Sequence, residues 1–432
     1  MTGPLLGALG FAAVIALILL RVPVAIAMGV VGAIGYVHTS GLPSLAFIMG
    51  KVPFDSAFPY SLSVLPLFIM MGVFAAHAGL SKTLYDTVSA FIGHLRGGLA
   101  LATVGACAVF GAICGSAIAT AATMGRVALP EMRRLGYKDT LASASIAAGG
   151  TLGVMIPPSI LLLVYGIMTE QSVGKLFVAG IVPGILGMVL YMGAVRWATW
   201  RDPAAGPGGP RHTWAERYRS LKRVWEVVGL FAVVLGGMYL GWFSPTEAAA
   251  VGAVGAVAIA WIGGHIDGKS FAAALSETAL TTGMIFTILV GAGVFNYFIE
   301  ATGLTDALIG WVEHLGWNRW AVMFLLMVTY IVLGALMDEL SMILLTVGPV
   351  FKLVTALGFD PIWFGVMLVT VCEIGMIVPP VGINLFVLQG VSGLPLLTIV
   401  RGILPFVVAD CLRLLALSLF PALATWLPSR MI

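Results

Sequence analysis

Apolar residues along this 432-residue chain fall in long, nearly continuous runs rather than in alternation. A helix crossing lipid needs about 20 such residues. Runs of that kind occupy 3–20, 22–38, 63–80, 139–168, 174–199, 225–243, 246–265, 279–299, 360–391 and 395–425. Because the runs are continuous, a β-barrel is excluded. Two further stretches, 97–135 and 319–357, are long and mostly apolar but are interrupted midway. The interruptions are Gly115-Ser116-Ala117-Ile118-Ala119-Thr120 and Met337-Asp338-Glu339-Leu340-Ser341. Each predicts a re-entrant hairpin whose non-helical tip is buried in protein; two short spans with a tight loop are the alternative. Three amphipathic stretches, 81–94, 268–277 and 304–314, read as interfacial helices or as frayed ends and loops.

The pattern is written twice. Gly153-Val154-Met155-Ile156-Pro157-Pro158 recurs as Gly375-Met376-Ile377-Val378-Pro379-Pro380, an offset of 222 (375 − 153). Pro183 maps onto Pro405 at the same offset. Proline removes a backbone donor and clashes with the preceding turn, so helices 139–168 and 360–391 must each break in mid-membrane. Paired interruptions in matching halves point to a transporter binding site. Between 201 and 223 the chain turns polar and basic, with Arg211, Arg217, Arg219, Lys222 and Arg223, which places this linker in the cytoplasm. Five spans separate the starts of the two broken helices, an odd number, so the copies are antiparallel. The expected architecture is an all-α polytopic membrane protein. It is an inverted repeat of about ten spanning helices, two re-entrant hairpins and two discontinuous helices. The first repeat covers 1–200 and the second 224–432. The first hairpin then opens to the cytoplasm and the second to the periplasm, with both termini periplasmic. Loops 39–62, 169–174 and 300–318 face the periplasm.

Composition supports this reading. Charged residues make up 9% of the chain, against roughly 25% in soluble domains. With 60% hydrophobic residues and a mean hydropathy of +1.06, too little polar surface remains for a water-soluble particle. The 54 glycines suit close helix contact in lipid. Cys107, Cys114, Cys372 and Cys411 have no CxxC spacing and read as small buried hydrophobes. The first run lacks a basic n-region and reads as a retained helix. A net charge of +3 reflects membrane orientation and argues for no nucleic acid. No HExxH motif occurs, and neither Ser116 nor Asp338 has a catalytic partner in view, so enzymatic chemistry is excluded.

Stranded carbonyls at a break cost several kcal/mol each unless something binds them. Sodium, a hard cation, takes such oxygens. The expected sodium ligands around the first break are Gly115, Ser116, Gly150, Thr151, Gly153 and Pro157. Around the second they are Asp338, Ser341, Glu373, Gly375, Met376 and Pro379. Further oxygens come from Thr123, Glu339 and Thr346. The expected substrate contacts are Thr120, Arg126, Pro158, Ser159, Pro380 and Asn384, where half-helix N-termini face an anion. A mid-bilayer carboxylate costs roughly 2.5–3.5 kcal/mol, so Asp338 reads as a ligand or gating group. Glu373 is either a ligand or the partner of a neighbouring helix. Arg126 either meets a substrate carboxylate or snorkels to the surface.

The combination of motifs resembles a known family. Gly115-Ser116, Ala122-Thr123-Met124-Gly125, Leu129-Pro130-Glu131-Met132 and Gly149-Gly150-Thr151-Leu152-Gly153 carry the first half. Ile156-Pro157-Pro158-Ser159, Met337-Asp338 and Ile377-Val378-Pro379-Pro380-Val381-Gly382-Ile383-Asn384 complete it. Over nearly its whole length the chain is similar to the DctM-type large membrane subunit of tripartite ATP-independent periplasmic (TRAP) transporters. One departure is Ala117, where many relatives carry a second serine, which leaves only backbone ligation there. The resemblance implies an elevator-type sodium symporter in the bacterial inner membrane that takes up a carboxylate substrate. It also implies two partners: a small four-helix (DctQ-type) membrane subunit and a periplasmic (DctP-type) binding protein. Two sodium ions carried with a dianion would move no net charge. The alternative is a stand-alone ion-coupled dicarboxylate symporter or anion exporter of related fold. Which organic acid is carried is not written in the chain.

Overall fold

The computed structural model describes all residues except 1, 2, 265, 380 and 432, and the Val227 side chain. Its first half holds α1 (Gly3–Leu19), α2 (Val24–Ser40), α3 (Leu42–Ala57), α4 (Val64–His77), α5 (Leu80–Ile92), α6 (Gly98–Cys114), α7 (Ala117–Arg134), α8 (Asp139–Thr151), α9 (Ile160–Met168) and α10 (Val173–Arg201). The second holds α11 (Trp214–Tyr239), α12 (Pro245–Ile262), α13 (Gly268–Thr302), α14 (Leu304–Leu315), α15 (Arg319–Leu336), α16 (Glu339–Ala356), α17 (Pro361–Ile377), α18 (Ile383–Ser392), α19 (Leu396–Leu419) and the short α20 (Ala422–Thr425). No strand occurs among the described residues.

The 222-residue offset extends well beyond the proline motif. Helices α7 and α16 are both 18 residues long and start that far apart (339 − 117). With the offset added, α5 to α10 start within two residues of α14 to α19, one for one. Likewise α1 and α2 correspond to α11 and α12, while α3 and α4 correspond to the single helix α13. Packing obeys the same exchange. Helix α2 lies along α13 and its counterpart α12 lies along α4; α7 packs on α18 and α16 on α9; α8 packs on α19 and α17 on α10. The repeats are therefore interlocked rather than side by side.

Local chemistry sets the boundaries. Ser116, Ser159, Ser172, Asp267, Asp338 and Asp360 each cap a helix by accepting a backbone N–H. Thr213 with Glu216 and Ser244 with Glu247 form capping boxes. Several expected loops prove helical. The segment 39–62 contains α3, which its Lys51, Asp55 and internal Pro53 disguise; it packs through Ile48 and Val52 against Val294 of α13. The amphipathic stretch 268–277 is continuous with α13, because nothing interrupts the helix after its Asp267 cap. Much of 300–318 is α14, set off by Gly303 at φ 65°. Before Thr213 the basic linker holds only the short helical turn Pro203–Ala205; at Thr213 its capping box starts α11.

The extended part of the linker is docked rather than free. Gly97 N–H donates to Gly206 O at 2.8 Å, Lys138 N–H to Ala205 O at 3.0 Å and Gly209 N–H to Gly93 O at 2.9 Å. The Lys138 ammonium, 2.5 Å from Asp202, holds that carboxyl below its usual range.

Two glycines of the first repeat meet backbone to backbone. A Cβ at Gly111 of α6 would lie 2.5 Å from the Gly153 Cα. Overpacking there costs about 1–3 kcal/mol. Gly111→Ala and Gly153→Ala should each lower the melting temperature of the purified protein. Gly193→Ala on the exposed face of α10, with nothing within 4 Å, should not.

Candidate functional site

Helix α8 ends at Thr151, continues as a tight turn over Leu152–Val154, and restarts as α9 after Ser159. Pro157 and Pro158 carry no N–H, so the carbonyls of Gly153 and Val154 lose their helical donors. Val154 O accepts the Ser159 hydroxyl instead, and Ser159 Oγ accepts the Leu162 N–H at 3.1 Å. The tip between α6 and α7 sits against this break. Gly115, at φ 63°, has room for a Cβ only 3.0 Å from the Ile160 side chain and 3.5 Å from Pro158 O. A Cβ at Gly150 would lie 3.1 Å from Ala117 O. A surface loop could not make these contacts, so the hairpin is re-entrant. Ser116 caps α7, and Thr120 donates to Ser116 O at 2.7 Å.

The second repeat repeats the arrangement with more charge. Helix α17 runs to Ile377, and Pro379 deprives Gly375 O of its helical donor. The chain turns back through Gly382, at φ 51°, where a Cβ would lie 3.1 Å from both Met376 O and Val378 O. Pro380, an expected substrate contact, lies outside the described residues. Hairpin arm α15 meets α17 at Gly334 and Gly375. At the tip, Asp338 accepts the Ser341 N–H at 2.9 Å and the Ser341 hydroxyl at 2.6 Å, so it caps α16. Asp338 and Ser341 also line a cavity of about 450 Å³ together with Arg21, Pro23, Met284 and Thr287. The two breaks differ in exposure: Pro157 and Pro158 are buried, whereas Pro379 is exposed.

The expected substrate residues do not all converge. Ser159 and Asn384 are both buried. Asn384 reaches across the repeats to donate to Ala147 O at 3.2 Å, and its Oδ1 has no partner among the described residues. Arg126 is exposed and lines a separate cavity of about 520 Å³ with Lys82, Asp86 and Glu131. Thr346 is occupied by Tyr330, 2.8 Å away, and by Met342 O. Glu339 is buried with its Oε2 unpartnered.

Glu373 has a partner on a neighbouring helix, one of the two readings its sequence position left open. Its carboxylate pairs with Arg413 of α19, and both side chains are fully buried. Asp410 stands 2.8 Å from the same guanidinium and accepts the Tyr191 hydroxyl at 2.5 Å. Tyr191 in turn lies 3.2 Å from Thr151 Oγ1. Sequence reasoning passed over Tyr191, Asp410 and Arg413. The signal was there: two charges three residues apart inside an otherwise apolar run, where intramembrane charge is functional by default.

Comparison with known proteins gives one consistent answer. The model of the family "Tripartite ATP-independent periplasmic transporter, DctM component" matches residues 11–423. The C4-dicarboxylate TRAP transporter large permease protein DctM of Pseudomonas aeruginosa is 35% identical, over 87% of this chain and 88% of that one. The isethionate TRAP transporter permease protein DctMQ of Oleidesulfovibrio alaskensis is 33% identical, over 93% of this chain and 63% of that longer one. Among solved structures, the YdaH transporter of Alcanivorax borkumensis shares the fold, with a TM-score of 0.63 at 17% identity over 89% of this chain and 88% of that one.

Two stability effects follow from the geometry. Arg413→Ala leaves Glu373 and Asp410 buried without a counter-charge, at a cost of about 3–5 kcal/mol. Its melting temperature and its yield of monodisperse protein should fall sharply. Asp338→Ala loses a helix cap, at about 1 kcal/mol, whereas Asp338→Asn keeps the capping oxygen and should melt like the wild type.

Proposed function

This chain belongs to the DctM family of TRAP transporter large membrane components, and from that premise we propose that it carries small organic acids inward by sodium symport with an elevator movement. The family consists of multi-pass inner-membrane permeases, not enzymes, and works with a substrate-binding protein and a small membrane subunit. For this chain we assign those partners as separate DctP-type and DctQ-type proteins. That assignment favours delivery by a binding protein over a stand-alone symporter or exporter.

The single observation behind sodium coupling is the meeting of a hairpin tip and a proline break in the first repeat, matched by the same motifs in the second. In the first repeat the tip residues Gly115 and Ala117 pack against the break; in the second the corresponding groups are the Gly375 carbonyl and the Asp338–Ser341 pair. A dehydrated sodium ion needs such an oxygen cage. The first cage draws on Gly115, Ser116, Gly150, Thr151, Gly153 and Pro157. The second draws on Asp338, Ser341, Glu373, Gly375, Met376 and Pro379. A carboxylate oxygen has two lone pairs, so Asp338 can cap α16 and still bind a cation. The proposed substrate contacts are Thr120, Arg126, Pro158, Ser159, Pro380 and Asn384, of which Arg126 lines the separate cavity.

Two of the relatives are named for a dicarboxylate and for isethionate, which supports a small organic acid as this chain's cargo. The hairpins and broken helices, α6–α9 and α15–α18, pack on one another across the repeats through α7 with α18 and α9 with α16. They form the moving body. Two sodium ions with a dianion move no net charge; with a monoanion, each surplus charge gains about 2.3 kcal/mol per 100 mV.

In proteoliposomes holding the permease, the small subunit and the binding protein, uptake should vanish when sodium is replaced by potassium. Asp338→Asn should raise the half-saturating sodium concentration by about tenfold, the equivalent of losing about 1.4 kcal/mol of ion binding. Uptake indifferent to sodium would overturn the coupling. A wild-type sodium response in Asp338→Asn would remove that residue from the site.

A further inference from the structure

The 222-residue offset pairs Thr151 with Glu373 and Tyr191 with Arg413 (373 − 151 and 413 − 191). The two contacts of the buried cluster are therefore the same contact in each repeat. In one copy it is neutral, hydroxyl to hydroxyl at 3.2 Å; in the other it is an ion pair. Asp410 joins them, and its counterpart Met188 is apolar, so the bridge exists once. The result is one unbroken chain of five fully buried side chains: Thr151, Tyr191, Asp410, Arg413 and Glu373. Its ends are the last residue of α8 at the first break and a residue two positions before Gly375 at the second.

Stability alone does not account for it. A buried ion cluster gives back little more than its desolvation cost, and apolar replacements of similar shape often fold as well. The cluster is also incompletely satisfied: Glu373 Oε1, Arg413 Nε and Arg413 Nη1 have no hydrogen-bond partner among the described residues. Space is reserved for the guanidinium by Gly187, where any Cβ would run into it.

One member has two settings. Thr151 owns a single hydroxyl hydrogen, with Ala148 O at 2.8 Å and the Tyr191 oxygen at 3.2 Å. Tyr191 gives its own hydrogen to Asp410, so the Thr151–Tyr191 bond forms only when Thr151 turns away from Ala148. A cation bound at the first break biases that choice. The choice in turn sets how strongly Tyr191 holds Asp410, how far Asp410 competes for Arg413, and how free the Glu373 carboxylate is at the second break.

We propose that Tyr191, Asp410 and Arg413 are positioning residues that couple ion occupancy at the two proline breaks. The proposal rests on the sodium reading above. It is tested by titrating sodium against substrate uptake in the complete complex, for the wild type, Tyr191→Phe and Asp410→Asn. Tyr191→Phe keeps the ring against Phe406, 5.5 Å away, and deletes only the hydroxyl. The wild type should be cooperative in sodium, with a Hill coefficient above one. Both variants should fall to a coefficient near one, with half-saturation raised about fivefold or more. Their melting temperatures without sodium should stay close to the wild type for Tyr191→Phe, which separates coupling from folding. Unchanged cooperativity in a folded Tyr191→Phe or Asp410→Asn protein would overturn the proposal while leaving sodium coupling intact. A sodium-independent wild type would overturn the sodium reading itself, and this proposal with it.

Discussion

A carbonyl oxygen stranded in an apolar interior is the constraint on which the structure turns. Pro157, Pro158 and Pro379 remove N–H groups that a continuous helix would have supplied. Lipid offers no replacement, so each break must be sheathed in protein and supplied with polar company. The hairpins meet that demand. Their tips reach the breaks from the other side, and their close approach depends on Gly111, Gly153, Gly334 and Gly375. An ion cage is the proposed use of a site whose oxygens are already freed of helical partners.

The interlocked packing gives that local constraint a global consequence. Each broken helix rests on the final long helix of the other repeat, α8 on α19 and α17 on α10. The main apolar core therefore draws on both halves. The asymmetry laid on this frame is chemical rather than architectural. Ser116 at the first tip corresponds to Asp338 at the second, and both cap a helix, one through a hydroxyl and one through a carboxyl. Thr151 with Tyr191 corresponds to Glu373 with Arg413 in the same way. At these two places the second repeat carries acidic and basic side chains where the first carries hydroxyls.

Much of this was legible in the chain. The proline breaks, both hairpins and the 222-residue offset follow from apolar run lengths and from residues that cannot continue a helix. What escaped has identifiable physical causes. Helix α3 carries Lys51, Asp55 and Pro53, so it fails any test of apolar length although it is a regular helix. The start of α11 is a capping box inside a basic linker, a signal overshadowed by the charge around it. The Tyr191–Asp410–Arg413 bridge joins residues 219 positions apart, and no local pattern reports such a partnership. Glu373 was visible as a costly intramembrane charge, but its partner was not.

Two oxygen cages, one at each proline break, are the proposed seats of two sodium ions carried with each substrate molecule. Simultaneous measurement of sodium and substrate flux in proteoliposomes addresses this assignment most directly. Two sodium ions entering per substrate molecule is the expected ratio, falling toward one when the second cage is disabled at Asp338. Substrate entry with no accompanying sodium flux would contradict it.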